Sequence, residues 1–174
     1  FSPDGRNVVT ASEDRTAKIW NAETSAQIGK NMTHDGVVLC VVFSPDGRRI
    51  ATASADHTLR LYNGRLGSVV HALRGHQTDL SSLSFSADGT TICTAANDGV
   101  RLWDGQSGAP LRMITGLKAP HILATLTPDA RLVLVDRTDG VDETVEMVRA
   151  AGGTAIAVKG DAGEEADVKG FIDR

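Results

Sequence analysis

The side chains able to do chemistry in this chain come in copies. A histidine, a threonine and an aspartate stand at His34, Thr52 and Asp56, and return 42 residues on as His76, Thr94 and Asp98. An imidazole, a hydroxyl and a carboxylate are the ingredients of a nucleophilic triad, with the imidazole as base and the acid as its orienter. A triad serves one site, so a second copy at a fixed period argues for a structural use instead. His71 and His121 lie off this period without neighbouring ligands, and read as surface or strand-facing groups rather than a metal centre. Cys40 and Cys93 fall inside apolar strand-like runs, without the spacing of a metal site or a disulfide framework. They read as small buried hydrophobes in a reducing, cytoplasmic setting. No catalytic residue and no metal ligand is expected.

The elements that position these groups repeat at the same interval. Phe1-Ser2-Pro3-Asp4-Gly5-Arg6 recurs as Phe43-Ser44-Pro45-Asp46-Gly47-Arg48 and as Phe85-Ser86-Ala87-Asp88-Gly89, with a fainter copy at Leu126-Thr127-Pro128-Asp129-Ala130-Arg131. The offsets are 42, 42 and 41 residues, a period that suits four-stranded units. Pro-Asp-Gly makes a tight turn: a fixed φ, a side chain that bonds its own backbone, and a residue free to take positive φ. Each turn leads into a short apolar strand (Val8-Val9, Ile50-Ala51, Ile92-Cys93), then an acidic turn at Asp14, Asp56 or Asp98, then a second strand. In that second strand Leu59 and Leu61 alternate with Thr58, Arg60 and Tyr62, the mark of a half-buried strand. Val100 and Leu102 repeat it. One residue fewer separates Asp98 from Trp103 than Asp56 from Tyr62, which shortens the third hairpin. Six of the seven aromatics fall on two repeating positions, Phe1, Phe43 and Phe85 on one, Trp20, Tyr62 and Trp103 on the other.

These units resemble WD repeats, with the name-giving dipeptide kept as Trp103-Asp104 and loosened to Trp20-Asn21 and Tyr62-Asn63, and with the Gly-His element at Gly75-His76 and, one period earlier, Thr33-His34. The resemblance implies a mainly β fold: three blades and part of a fourth of an incomplete β-propeller over residues 1–132. It also implies a hydrogen-bonded set within each blade. By position the sets are His34, Thr52, Asp56 and Tyr62, then His76, Thr94, Asp98 and Trp103, with Thr10, Asp14 and Trp20 in a first blade. The role so implied is structural, because a buried aspartate needs a donor.

From about residue 133 the grammar changes. Val133-Leu134-Val135-Asp136 reads as a strand ending in an acid. Val141, Val145 and Val148 fall on one helical face behind an acidic start. Thr154 to Val158 reads as a second strand, and residues 164–174 begin another amphipathic helix. Strand, helix, strand, helix predicts a parallel, Rossmann-like βαβα fragment over residues 133–174. This stretch resembles part of the short-chain dehydrogenase/reductase family through Val133-Leu134-Val135-Asp136-Arg137, Glu143-Thr144-Val145, Arg149-Ala150-Ala151-Gly152-Gly153 and Ala157-Val158-Lys159-Gly160-Asp161. The resemblance gives Asp136 the place of the ribose-binding acid and Asp161 that of the acid beside the adenine. The family's Gly-rich loop has no counterpart upstream of Asp136, where Thr115-Gly116-Leu117-Lys118-Ala119-Pro120 carries a single glycine. No cofactor is therefore expected, and NAD only if the missing parts are supplied. No spacer rich in glycine, serine or proline marks the join, as in a spliced or engineered chimera, a misassembled reading frame or a fragment of a longer fusion.

The net charge of −4 and the lack of a basic run argue against a nucleic-acid partner, and no apolar stretch is long enough to span a bilayer. The reading is a non-enzymatic scaffold for other proteins, bound through loop faces. Candidate contact residues are Glu13, Asp35, Asp79 and Asn97, next to the acidic turns and blade entries. Self-association through open blade edges is also expected. The alternative is part of an NAD-dependent short-chain dehydrogenase/reductase fusion.

Overall fold

The structure, a computed structural model, describes residues 1–115, 123–126, 132–136 and 155–159. The described residues are strands, turns and loops, with no helix among them. The first sheet holds β1 (Asn7–Ala11), β2 (Thr16–Asn21) and β3 (Gln27–Thr33). The second holds β4 (Val38–Phe43), β5 (Arg49–Ser54), β6 (Thr58–Asn63) and β7 (Val69–Arg74), and the third β8 (Leu80–Phe85), β9 (Thr91–Ala96), β10 (Gly99–Asp104) and β11 (Pro110–Ile114). Each runs in chain order with every neighbour antiparallel. The repeating aromatics occupy equivalent places: Trp20, Tyr62 and Trp103 are each the penultimate residue of β2, β6 and β10.

The sheets stack face to face. Ala17, Ile19 and Met32 of the first sheet meet Val38, Ile50 and Tyr62 of the second in one apolar cluster. Ala51, Ala53, Leu59, Leu61 and Leu73 of the second meet Leu80, Leu83, Ile92 and Trp103 of the third in another. The alternation in β6 thus sends Leu59 and Leu61 to one neighbouring sheet and Tyr62 to the other. This corrects the half-buried expectation. Thr58, Leu59, Leu61 and Tyr62 are all buried, because the middle sheet is covered on both faces. Irregular pairing at Leu39 in β4 and Ser81 in β8 marks a bulge at the same place in both strands, which bends and twists them.

The three Asp-Gly turns, the third with Ala87 in place of proline, fold as their residues dictate. Gly5, Gly47 and Gly89 take φ of 72°, 67° and 71°. The Asp4, Asp46 and Asp88 carboxylates each accept the amide two residues on. Ser2, Ser44 and Ser86 are buried and donate to those carboxylates at 2.6 Å while accepting an amide five residues on. The third hairpin is shortened as expected: two residues join β9 to β10 where three join β5 to β6.

A fourth sheet orders β12 (Leu123–Leu126), β13 (Leu132–Asp136) and β14 (Ala155–Lys159). β12 and β13 pair antiparallel, as β4 and β5 do, and β13 and β14 pair in parallel. β13 thus pairs along both of its edges. The Ser82 hydroxyl on β8 bridges the backbone of Ala124, donating to its carbonyl at 3.2 Å and accepting its amide at 3.0 Å. The two expected helices of the tail, and Asp161 and His121, lie outside the described residues.

Candidate functional site

The histidines sit where the chain passes between sheets. His34 follows β3 of the first sheet and precedes β4 of the second, and His76 stands likewise between β7 and β8. In the third sheet one hydrogen-bonded line crosses the blade. The Trp103 indole donates to the Thr94 hydroxyl at 2.8 Å, that oxygen lies 2.9 Å from His76 Nε2, and His76 Nδ1 lies 2.6 Å from Asp98. The other carboxylate oxygen accepts the Gln77 amide at 2.9 Å. Burial holds the His76 imidazole below its ordinary range against the opposing pull of Asp98, so it stays neutral, donating at Nδ1 and accepting at Nε2.

The second sheet repeats this with one departure. His34 spans Asp56 at 3.0 Å and Thr52 at 2.6 Å. Asp56 also accepts the Asp35 and Thr58 amides and the Thr58 hydroxyl. Burial pushes the Asp56 carboxyl up, but these donors outweigh it and hold it well below the usual range. Tyr62 holds the place that Trp103 has in the third sheet, and its hydroxyl donates to the Thr33 carbonyl at 2.9 Å. The rings of Tyr62 and Trp103 stand alike, each 6.4 Å from its histidine at 57°. A phenol carries its hydroxyl at the far end, whereas an indole carries its N–H at the side, so the tyrosine donates to the Thr33 carbonyl where the tryptophan donates to a threonine hydroxyl. In the first sheet Trp20 donates to Thr10 at 2.9 Å and Asp14 binds Thr16; among the described residues no histidine joins them.

Three basic residues extend these sets beyond what the sequence singled out for them. Arg60 Nη1 donates to the Thr33 carbonyl at 2.8 Å, and Arg101 Nη2 to the equivalent Gly75 carbonyl at 2.7 Å. Lys18, at the same strand position, reaches Asp14 at 3.4 Å. Their recurrence at one place per unit was the available signal. Glu13, Asp35, Asp79 and Asn97 are all exposed and all lie at the histidine end of the sheets, on the β1–β2, β3–β4, β7–β8 and β9–β10 connections. Asp35 lies 3.1 Å from Arg60, and Asp79 lies 3.3 Å from His57 in the β5–β6 turn. Cys40 and Cys93 are free, and burial pushes the Cys93 thiol up to about 12. Among the described residues no group of histidine, cysteine and acid side chains could hold a metal, and no helix is long and apolar enough to cross a membrane.

Three antiparallel sheets stacked in series, each with its aromatic on the same strand, are the arrangement that repeat units of this kind build. Residues 1–21, 27–63 and 67–104 match the family described as WD domain, G-beta repeat. The chain belongs to this family. The matched WD segments are staggered against the sheets: residues 27–63 supply β3 to the first sheet and β4, β5 and β6 to the second, and residues 67–104 supply β7 to the second and β8, β9 and β10 to the third. Each His–Thr–Asp set therefore fastens the crossing between two sheets. No family match covers the tail, and the dehydrogenase resemblance gains no support from the comparison. A search of curated proteins returned no match. WD repeats generally mediate contacts between proteins, which places this chain with interaction scaffolds.

Proposed function

We propose that this WD-repeat chain is a rigid, non-catalytic scaffold that binds a protein partner at the histidine end of its sheets, through Glu13, Asp35, Asp79 and Asn97. The observation that carries this reading is their placement. Four exposed side chains from three sheets share one end, and Asp35, Asp79 and Asn97 lie on connections that the buried His34 and His76 sets hold. Loops fixed on a stiff framework are suited to recognition, because little ordering entropy is lost on binding. The His–Thr–Asp sets are assigned to the framework. Both histidines are buried, which leaves a substrate no approach to them, and the scaffold role calls for no cofactor.

The test is affinity capture from cell extract with the chain and with a variant carrying alanine at all four positions. The reading expects partners held by the parent chain and lost by the folded variant. An identical set of partners on both would end the assignment of this surface.

Self-association belongs to the same reading. Trp20 of the first sheet is half-buried and Thr10 exposed, whereas the equivalent Tyr62 and Thr52, and Trp103 and Thr94, are buried. Light scattering over a dilution series should show mass rising with concentration. A concentration-independent monomer would remove this part of the proposal.

A further inference from the structure

The turn between β6 and β7 carries the one Asn-Gly pair in the sequence, Asn63-Gly64. In such a pair the following amide can reach the asparagine side chain with least hindrance, because glycine has no Cβ. The fold holds this pair in a fixed pose. Asn63 Oδ1 accepts the amides of Arg65 at 2.9 Å and Leu66 at 3.1 Å. The Gly64 amide donates to the Arg48 carbonyl at 2.8 Å, and Gly64 is buried against the main chain of Gly47 and Arg48. The other two sheets repeat the turn. Asn21 Oδ1 accepts the amides of Glu23 and Thr24, and Asp104 Oδ1 those of Gln106 and Ser107. The amides of Ala22 and Gly105 donate to Arg6 and Thr90 as Gly64 does to Arg48. One position thus holds an amide in two sheets and a carboxylate in the third, with the same bonds.

We infer that Asn63-Gly64 is a deamidation site that the folded turn shields and whose aspartate product the fold accepts. In the reaction the Gly64 nitrogen gives up its proton and attacks Asn63 Cγ. The bond from Cγ to the side-chain nitrogen breaks, ammonia leaves with the proton, and a five-membered succinimide closes. Water then opens the ring at either carbonyl, giving aspartate or isoaspartate. No oxidant or cofactor takes part. In the native turn the attacking N–H is bound to Arg48, and two amides hold the Asn63 oxygen facing down the chain. Attack therefore waits on local opening of the turn. Aspartate at 63 keeps the acceptor for Arg65 and Leu66, as Asp104 does for its own turn. Isoaspartate lengthens the main chain by one carbon and carries Gly64 off the Arg48 carbonyl.

The full chain is incubated at mildly alkaline pH, folded and in urea, and conversion at residue 63 is followed by peptide mapping with chromatographic separation of the two acids. Conversion is expected to be slower in the folded chain by about ten-fold or more, the protection a locally stable turn confers. The Asn63→Asp variant is expected to melt at the same temperature as the parent. Equal rates in the two states would overturn the shielding. A clearly lowered melting temperature for Asn63→Asp would overturn the acceptance.

Discussion

Thr94 stands between two polar hydrogen-bond partners, and Thr52 serves only one of the same kind. Trp103 donates to the Thr94 oxygen and His76 Nε2 lies against it, while Thr52 lies against His34 without an indole donor because the Tyr62 hydroxyl donates to Thr33. Replacing either threonine by valine keeps the shape and leaves its buried partners unsatisfied. Thr52→Val should cost about 1–3 kcal/mol. Thr94→Val strands the indole as well and should cost about 1 kcal/mol more. Urea midpoints of the two variants check this, and an equal loss would show that the Trp103 bond contributes nothing. The acid side follows from the titration shifts. His34 and His76 are held below 6.5 in the fold, and Asp56 and Asp98 below 3.8. In both cases the unfolded chain binds protons first, so stability is complete above the unfolded value and is lost as pH falls. Unfolding free energy should decline as pH drops below about 6.5 and again below about 4. The first decline should vanish in a His34→Gln, His76→Gln double variant. The His, Thr and Asp members were legible in advance because they recur in step. It could not show where Tyr62 bonds, since that depends on where a ring places its polar atom. Nor did the scaffold's aromatic rhythm disclose the arginine contacts to Thr33 and Gly75, which reach from one sheet to the preceding one and not along a strand.

At the scale of the element, the turns are fixed by single residues. Gly99 opens β10 after a two-residue turn at φ 131°, with the Ile114 carbonyl where a Cβ would stand. Gly5 also has positive φ, at 72°, but open space around it. Gly99→Ala should therefore lower stability by about 1–3 kcal/mol or more, and Gly5→Ala by about 1 kcal/mol. Thermal melts of the two variants decide it, and the reverse order would contradict the close approach. Ser86→Ala removes the hydroxyl that both donates to Asp88 and accepts the Thr91 amide; a loss of about 1–2 kcal/mol is expected in the same assay. The two strands that follow each Asp-Gly turn, the turns themselves and the shortened third hairpin were legible, because local residue chemistry determines them; the last strand of each sheet, β3, β7 and β11, was not singled out. The burial of β6 on both faces was not. Alternation assigns side chains to two faces, but whether one face meets solvent or another sheet is a property of the stack.

At the scale of the molecule, two apolar layers share the middle sheet. Leu61 lies in the layer toward the third sheet, and Tyr62, its neighbour in the chain, in the layer toward the first. Leu61→Ala should cost about 2–5 kcal/mol, the usual toll of a fully buried leucine. Because one sheet backs both layers, the loss should reach the fluorescence of Trp20 and Trp103 in a single transition. Two separate transitions would show that the layers melt independently.

The stagger between sequence unit and sheet has a consequence for synthesis. Synthesis runs from the N-terminal side of each unit toward its C-terminal side, and the first sheet gains its last strand, β3, only when translation has entered the second matched segment; the second sheet gains β7 only when it has entered the third. No matched segment can finish its own sheet as it emerges. Each nascent sheet waits, one edge bare, for the opening residues of the next unit, so a stalled or nicked message releases an unpaired strand and not a tidy, shorter protein.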